Sequence, residues 1–272
     1  MFSADMAKKT AQNLKDIREK KPLVHNITNY VVMNYTANAL LACGASPVMA
    51  HAVEEVEEMV SFAGALVINI GTLSPPWIEA MFRAGNKANA LRVPVILDPV
   101  GSGATSLRTN TAKRLIEELS ISVIRGNASE ILSLGESKSE SRTKGVDSVH
   151  TVDQATETAL ALAAELGTTL AITGAVDLIT DGGRVLRVAN GHEMMGSITG
   201  SGCTATALIG AFLAVDSDPM SAAATGLSYF GLAGEKAAEN SSGPGSFQMA
   251  LLDSLYRMTE GDLTAGARIK VE

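Results

Sequence analysis

Val93-Pro94-Val95-Ile96-Leu97-Asp98-Pro99 is an apolar run without polar alternation, closed by an acid and a proline. A strand wetted on one face alternates in polarity, whereas a strand covered on both faces reads as a continuous apolar run, the pattern of parallel sheets. The same pattern recurs at Ala65-Leu66-Val67-Ile68-Asn69-Ile70-Gly71, Ser122-Val123-Ile124-Arg125-Gly126-Asn127 and Thr169-Leu170-Ala171-Ile172-Thr173-Gly174. Helix-patterned segments lie between these runs, around 77–90, 109–119 and 152–166. Strands alternating with helices at this spacing predict βαβ units and a mostly parallel sheet between helical layers, an α/β fold.

Outward from this centre, 6–20 suits a surface helix stopped by Pro22, residues 22–29 read as a polar turn, and 31–43 as a helix ended by Gly44. Residues 177–180 and 184–189 flank Asp181-Gly182-Gly183 and predict a hairpin, because Asp-Gly and Gly-Gly supply the positive φ of tight turns. An alanine-rich helix follows Gly202, and further helices are expected over 220–239 and 246–260. No repeat or linker interrupts the pattern, so the 272 residues are read as one domain, 1–272.

Composition agrees: 46% hydrophobic, 19% charged and 4% aromatic residues describe an aliphatic interior. A net charge of −7 without a dense Lys/Arg run argues against a nucleic-acid surface, although a nucleotide held by backbone amides remains compatible. No apolar stretch approaches the roughly 20 residues of a membrane span. Two cysteines and the absence of a secretory pattern make the cytoplasm the expected location.

In an open parallel sheet, ligands bind beyond the carboxyl ends of the strands. Those ends carry Asn69, Gly71 and Thr72; Asp98; Arg125, Asn127 and Glu130; and Thr173, Gly174 and Asp177. Each taken alone also suits a turn or a cap. The sharpest signal is Thr199-Gly200-Ser201-Gly202-Cys203-Thr204-Ala205 running into an apolar helix. Glycines admit close backbone approach, and a helix start offers free N–H groups with about half a positive charge. Such an anion hole suits phosphoryl oxygens, single donors being worth roughly 3 kcal/mol in a transition state. The alternative is a tight turn before a buried helix. No Gly-Lys-Ser/Thr occurs, which excludes a P-loop nucleoside triphosphatase. Asp98 and Glu130 suit Mg²⁺, which needs few carboxylates when water and phosphate complete its shell, though either also suits a helix cap. Asn127 is a candidate N-cap that aims Glu130 into the cleft, and Arg125 is a candidate phosphate partner.

Leu97-Asp98-Pro99-Val100-Gly101-Ser102-Gly103, Arg125-Gly126-Asn127-Ala128-Ser129-Glu130, Ala171-Ile172-Thr173-Gly174 and Thr199-Gly200-Ser201-Gly202-Cys203 resemble, in order and spacing, the signature set of the ribokinase-like vitamin kinases. Pro22-Leu23-Val24-His25-Asn26-Ile27-Thr28-Asn29, Gly44-Ala45-Ser46-Pro47-Val48-Met49-Ala50, Asn69-Ile70-Gly71-Thr72-Leu73 and Gly243-Pro244-Gly245-Ser246-Phe247 are similar to the hydroxyethylthiazole kinases in particular. The resemblance implies a ribokinase-like three-layer αβα fold without a separate lid domain. It implies transfer of the ATP γ-phosphoryl group to the hydroxyl of 4-methyl-5-(2-hydroxyethyl)thiazole, in thiamine salvage. Arg125 and Thr173, with Asn127, would contact ATP; Met49, Gly200, Asn29 and Val31 the thiazole; Asp98 and Glu130 the Mg²⁺; Gly200, Gly202 and Cys203 would serve catalysis. The family resembled is trimeric, so a homotrimer with sites at subunit boundaries is expected.

Across the wider superfamily an Asp, acting as base, usually follows Gly-x-Gly; this chain has Cys203, as the thiazole kinases do. A thiolate base and a small buried residue are both open readings of Cys203. His25 is read as a structural hydrogen bonder and Cys43 as core. The competing functions are a kinase for hydroxymethylpyrimidine or pyridoxal, a hydrate dehydratase of the same fold, and a non-catalytic nucleotide-binding protein.

Overall fold

The four apolar runs form adjacent strands in a computed structural model that describes residues 2–135 and 152–272. In chain order the elements are α1 (Ala4–Lys20), β1 (Leu23–Ile27), α2 (Met33–Cys43), β2 (Ser46–Val48), α3 (Val56–Val60), β3 (Ala65–Asn69), α4 (Pro75–Leu91), β4 (Val95–Asp98), α5 (Ser106–Glu118), β5 (Val123–Asn127), α6 (Ala128–Leu132) and α7 (Val152–Leu166). There follow β6 (Thr169–Thr173), β7 (Asp177–Thr180), β8 (Val185–Val188), a 3-10 turn (Glu193–Ser197), α8 (Ser201–Leu213), α9 (Pro219–Glu239), α10 (Pro244–Arg257), α11 (Glu260–Gly266) and β9 (Ile269–Val271).

All these strands lie in one nine-stranded sheet of order β2-β1-β3-β4-β5-β6-β7-β8-β9. Pairing is parallel from β2 through β6 and antiparallel from β6 to β9, which includes the expected hairpin β7–β8. Strand alternation sorts the side chains onto two faces. Val67, Ile96, Val123 and Ala171 join a core with Leu40 of α2, Phe212 of α8, Tyr229 of α9 and Phe247 of α10. Their neighbours Leu66, Ile68, Val95, Leu97, Ile124 and Leu170 join a second core with Val60 of α3, Met81 of α4 and Leu115 of α5. Both faces are therefore covered, which is why the strands read as unbroken apolar runs.

Two expectations need correction, and two edge strands had no counterpart in the sequence pattern. Residues 22–29 are largely a strand rather than a turn: β1 pairs with β2 on one side and β3 on the other. Its polar His25 and Asn26 hid it, yet both are fully buried, His25 Nε2 donating to the Ala50 carbonyl at 2.8 Å and Asn26 Nδ2 to the Val24 carbonyl at 2.9 Å. The short edge strands β2 and β9 carried no readable pattern; Pro47 is tolerated in β2 because an edge strand leaves one row of N–H groups unused. The helix expected over 246–260 ends at Arg257, because Thr259 and Asp262 form a capping box that starts α11.

The chain leaves β1 for β2 on one side and returns to β3 on the other, so strand order reverses at β1. Crevices for ligands form at such switch points. Helix α8 is buried from Thr204 to Leu213 and runs under the sheet with its first turn at this end. Among the described residues, no helix is long and apolar enough to cross a membrane.

Candidate active site

Helix α8 starts from Gly200, whose φ of 80° is left-handed and whose missing Cβ leaves room for the Val32 side chain. Two residues on, within the first turn, a Cβ on Gly202 would lie 2.5 Å from Arg125 Nη1. The guanidinium therefore rests against the helix start, and Arg125 Nη2 donates to Thr173 Oγ1 at 2.5 Å. A cation and the free amides of a first helical turn lie side by side, an arrangement chemically suited to an anion.

Beside it lies a polar network at the ends of β1, β3 and β4. Asn29 Nδ2 donates to Asn69 Oδ1 at 2.9 Å, and Asn69 Nδ2 donates to Asp98 Oδ2 at 2.9 Å. Thr206 Oγ1, one turn beyond Gly202, donates to the same Asp98 oxygen at 2.8 Å. Asp98 is fully buried, and burial pushes its carboxyl up to about 6, against the pull of Arg125 at 3.9 Å and of the hydrogen bonds; the Glu130 charge adds to the rise. Asp98 Oδ1, Arg125 Nε and Thr204 Oγ1 are buried without a hydrogen-bond partner among the described residues. Unpaired buried polar atoms are costly, and Asp98 Oδ1, at the end of β4, is one that a ligand could satisfy.

Cys203 takes its place in this network: its Sγ accepts from Asn29 Nδ2 at 3.4 Å. Burial, and then the Asp98 charge, push its thiol up to about 11. Of the two open readings of Cys203, the thiolate is the one that burial and the Asp98 charge disfavour. Cys43 is buried in the core and its thiol is pushed up to about 12 by burial, as its position in α2 implied.

A cavity of about 680 Å³ opens from the α8 start, lined by Arg125, Thr173, Gly200 and Gly202 and, farther along, by Asn190 and Phe230. It joins four of the residues singled out from the sequence. Asp177 also borders it, buried and accepting from Gly174 N at 3.0 Å, its carboxyl raised to about 6 chiefly by burial. Others lie apart. Asn127 caps α6, its Oδ1 accepting from Glu130 N at 2.9 Å, and does not line the cavity. Glu130 closes the capping box through Asn127 N at 2.9 Å and accepts from Gly101 N at 2.8 Å, so both of its oxygens hold backbone. Asn29 is buried and structural in its bonding, whereas Val31 is 65% exposed and Met49 half-buried after β2, neither lining the cavity. Asn69 and Thr206 were not assigned a site role from sequence; the signal was the register, since Asn69 and Asp98 are Cα partners across β3 and β4.

The model of the Hydroxyethylthiazole kinase family matches residues 14–261. The hydroxyethylthiazole kinase of Desulfotalea psychrophila is 62% identical over 260 residues, covering 96% of this chain and 94% of that protein. A solved hydroxyethylthiazole kinase from Pyrococcus horikoshii superposes with a TM-score of 0.88 at 46% identity, covering 97% and 98% of the two chains. A ribokinase-like superfamily protein from Enterococcus faecalis, 14% identical, shares the fold with a TM-score of 0.64 over 95% of each chain. The three-layer fold expected from the resemblance is thus the ribokinase-like one, and the chain is a kinase that belongs to the hydroxyethylthiazole kinase family.

Proposed function

We propose that this kinase transfers the γ-phosphoryl group of ATP to the hydroxyl of 4-methyl-5-(2-hydroxyethyl)thiazole, in the cytoplasm and in thiamine salvage. The observation that carries the reading is the convergence of Arg125, Thr173 and the α8 start in one cavity, beside the buried Asp98 carboxylate. The cavity takes the nucleotide, the first-turn amides of α8 and the Arg125 guanidinium meet the transferring oxygens, and the alcohol approaches from the side of Met49, Asn29 and Val31. Phosphoryl transfer asks mostly for positioning and charge stabilisation.

Magnesium takes most of its ligands from water and phosphate, so few protein carboxylates are needed. Asp98, with Oδ1 unpartnered, fits such a Mg²⁺ ion directly, and Glu130 fits through its field and remaining lone pairs. When bound, the ion would neutralise charge on the phosphates. Asp98 orients its own network, and Thr206 and Asn69 keep its second oxygen in place.

The decisive assay supplies ATP, Mg²⁺ and a panel of alcohols and follows ADP. Turnover of a pyrimidine or pyridine alcohol without turnover of the thiazole alcohol overturns the substrate assignment. Because burial disfavours the Cys203 thiolate, Cys203→Ala is expected to lower kcat less than about tenfold with thiazole KM nearly unchanged, and Cys203→Asp to remain active. A loss beyond about a hundredfold in the alanine variant would restore a base role.

We also propose a homotrimer in which a second copy closes the thiazole side. Tyr30, 66% exposed, and Val31 stand out beside Asn29, and Tyr30 stacks on Trp77 with ring centroids 4.3 Å apart, a fixed apolar face next to the alcohol's approach. Light scattering is expected to give three subunits; a monomer mass with full activity would sink the shared site.

A further inference from the structure

Part of the cavity wall is formed by Asn190 and Gly191, where the chain leaves β8. Both residues hang from one carboxylate that does not itself line the cavity. Glu235 Oε1, on α9, accepts from Asn190 Nδ2 at 3.1 Å and from Gly191 N at 2.9 Å. The same carboxylate receives Arg268 as a fork, Nη2 to Oε1 at 2.6 Å and Nη1 to Oε2 at 3.0 Å. Arg268 also donates from Nη2 to the Ala189 carbonyl at 2.8 Å and from its backbone N to Asn190 Oδ1 at 2.7 Å. Ser228 Oγ donates to Asn190 Oδ1 at 2.8 Å, and Asn190 Nδ2 donates to the Gly266 carbonyl at 3.0 Å. Every donor and acceptor site of the Asn190 amide is therefore occupied.

A two-point Arg–carboxylate fork fixes direction as well as distance. The Arg268 and Glu235 side chains are 38% and 22% exposed, so water screens the pair and it adds little to global stability. What it does fix is the line of residues 189–191, gripped at carbonyl, side chain and amide. A wall held in this way needs no reorganisation when a ligand arrives, and that lowers the cost of binding.

We propose that Glu235, held by Arg268, is a positioning residue for the nucleotide: it sets the Asn190–Gly191 wall and thereby the affinity for ATP, without touching the reacting atoms. This rests on reading the cavity as the ATP site.

The test uses the full chain and two measurements, calorimetric binding of the β,γ-methylene analogue of ATP and steady-state kinetics. In Glu235→Ala, analogue Kd and KM for ATP are expected to rise about tenfold, while kcat and the KM of the alcohol stay within about twofold. Glu235→Gln keeps an oxygen for Asn190 and Gly191 but sets an amide N–H against Arg268 Nη1 in place of the second fork bond, and is expected to weaken analogue binding several-fold, less than the alanine variant. Unchanged analogue affinity in Glu235→Ala, or an equal loss in kcat and in both KM values, overturns the proposal and leaves the pair as a tertiary staple. If Glu235→Ala does not fold, Arg268→Lys carries the test: it removes the fork, and several-fold weaker analogue binding with unchanged alcohol KM supports the proposal, whereas unchanged binding overturns it. A wild-type protein that binds no analogue overturns the reading of the cavity itself, a result distinct from a variant that binds as well as the wild type.

Discussion

Asp98→Asn is expected to lose activity by about a hundred- to a thousandfold and yet to be more stable than the wild type at pH 7. The carboxylate is fully buried, with one oxygen held by Asn69 and Thr206 and the other unpartnered. An amide keeps an oxygen to accept both hydrogen bonds and removes a charge that burial disfavours. The sign follows from linkage. The native carboxyl titrates at about 6 against an ordinary 3.8, so the native state holds its proton more tightly than the unfolded chain. Stability from this group is fully present below about pH 3.8, falls as pH rises to about 6 and is flat beyond, a span worth on the order of 1–3 kcal/mol. The asparagine variant lacks that fall. Thermal unfolding of both proteins at pH 4 and pH 7, with kcat at each pH, checks the prediction. Equal stability of wild type and variant at pH 7 would show that Arg125 already compensates the charge.

Gly202→Ala is expected to lower kcat/KM for ATP by about a hundredfold while shifting the unfolding midpoint little. The new Cβ would lie 2.5 Å from Arg125 Nη1, the far end of a flexible side chain, so the fold yields by moving the guanidinium. That movement breaks the bond to Thr173 and withdraws the cation from the α8 start. Removing one well-placed charge-assisted donor costs roughly 3 kcal/mol of transition-state stabilisation, which is the expected factor. Kinetics and thermal melts on the same preparation separate the two effects. A variant with wild-type kcat/KM would remove Arg125 from the phosphoryl site, and one that fails to fold would place the damage in the helix.

The central strands β3 to β6 and the helices between them were legible because their signals are local. A strand covered on both faces must be apolar at every position, and Gly200 and Gly202 announce a helix start that a larger residue would spoil. The polar residues at these strand ends were legible for the same reason: polar groups at the end of an apolar run mark the carboxyl edge of a sheet. β1 was not legible, because His25 and Asn26 make it look like a turn and their partners Ala50 and Val24 become relevant only once the strand is inserted between β2 and β3. Asn127 and Glu130 were legible as a cap, and the structure adds that Glu130 also holds Gly101 across from β4.

The sequence by itself determined the layered α/β architecture, the family, and the identity of the groups that meet at the α8 start, since these depend on periodicity, turn chemistry and residue type. Tertiary structure alone decided their electrical state and division of labour. Burial depends on neighbours far along the chain, and it raises the Cys203 thiol and the Asp98 carboxyl above their ordinary values. Packing likewise brings Glu235 and Arg268, which carry no local motif, to the wall of the cavity through residues 189–191, because only the folded chain sets distances between segments so far apart.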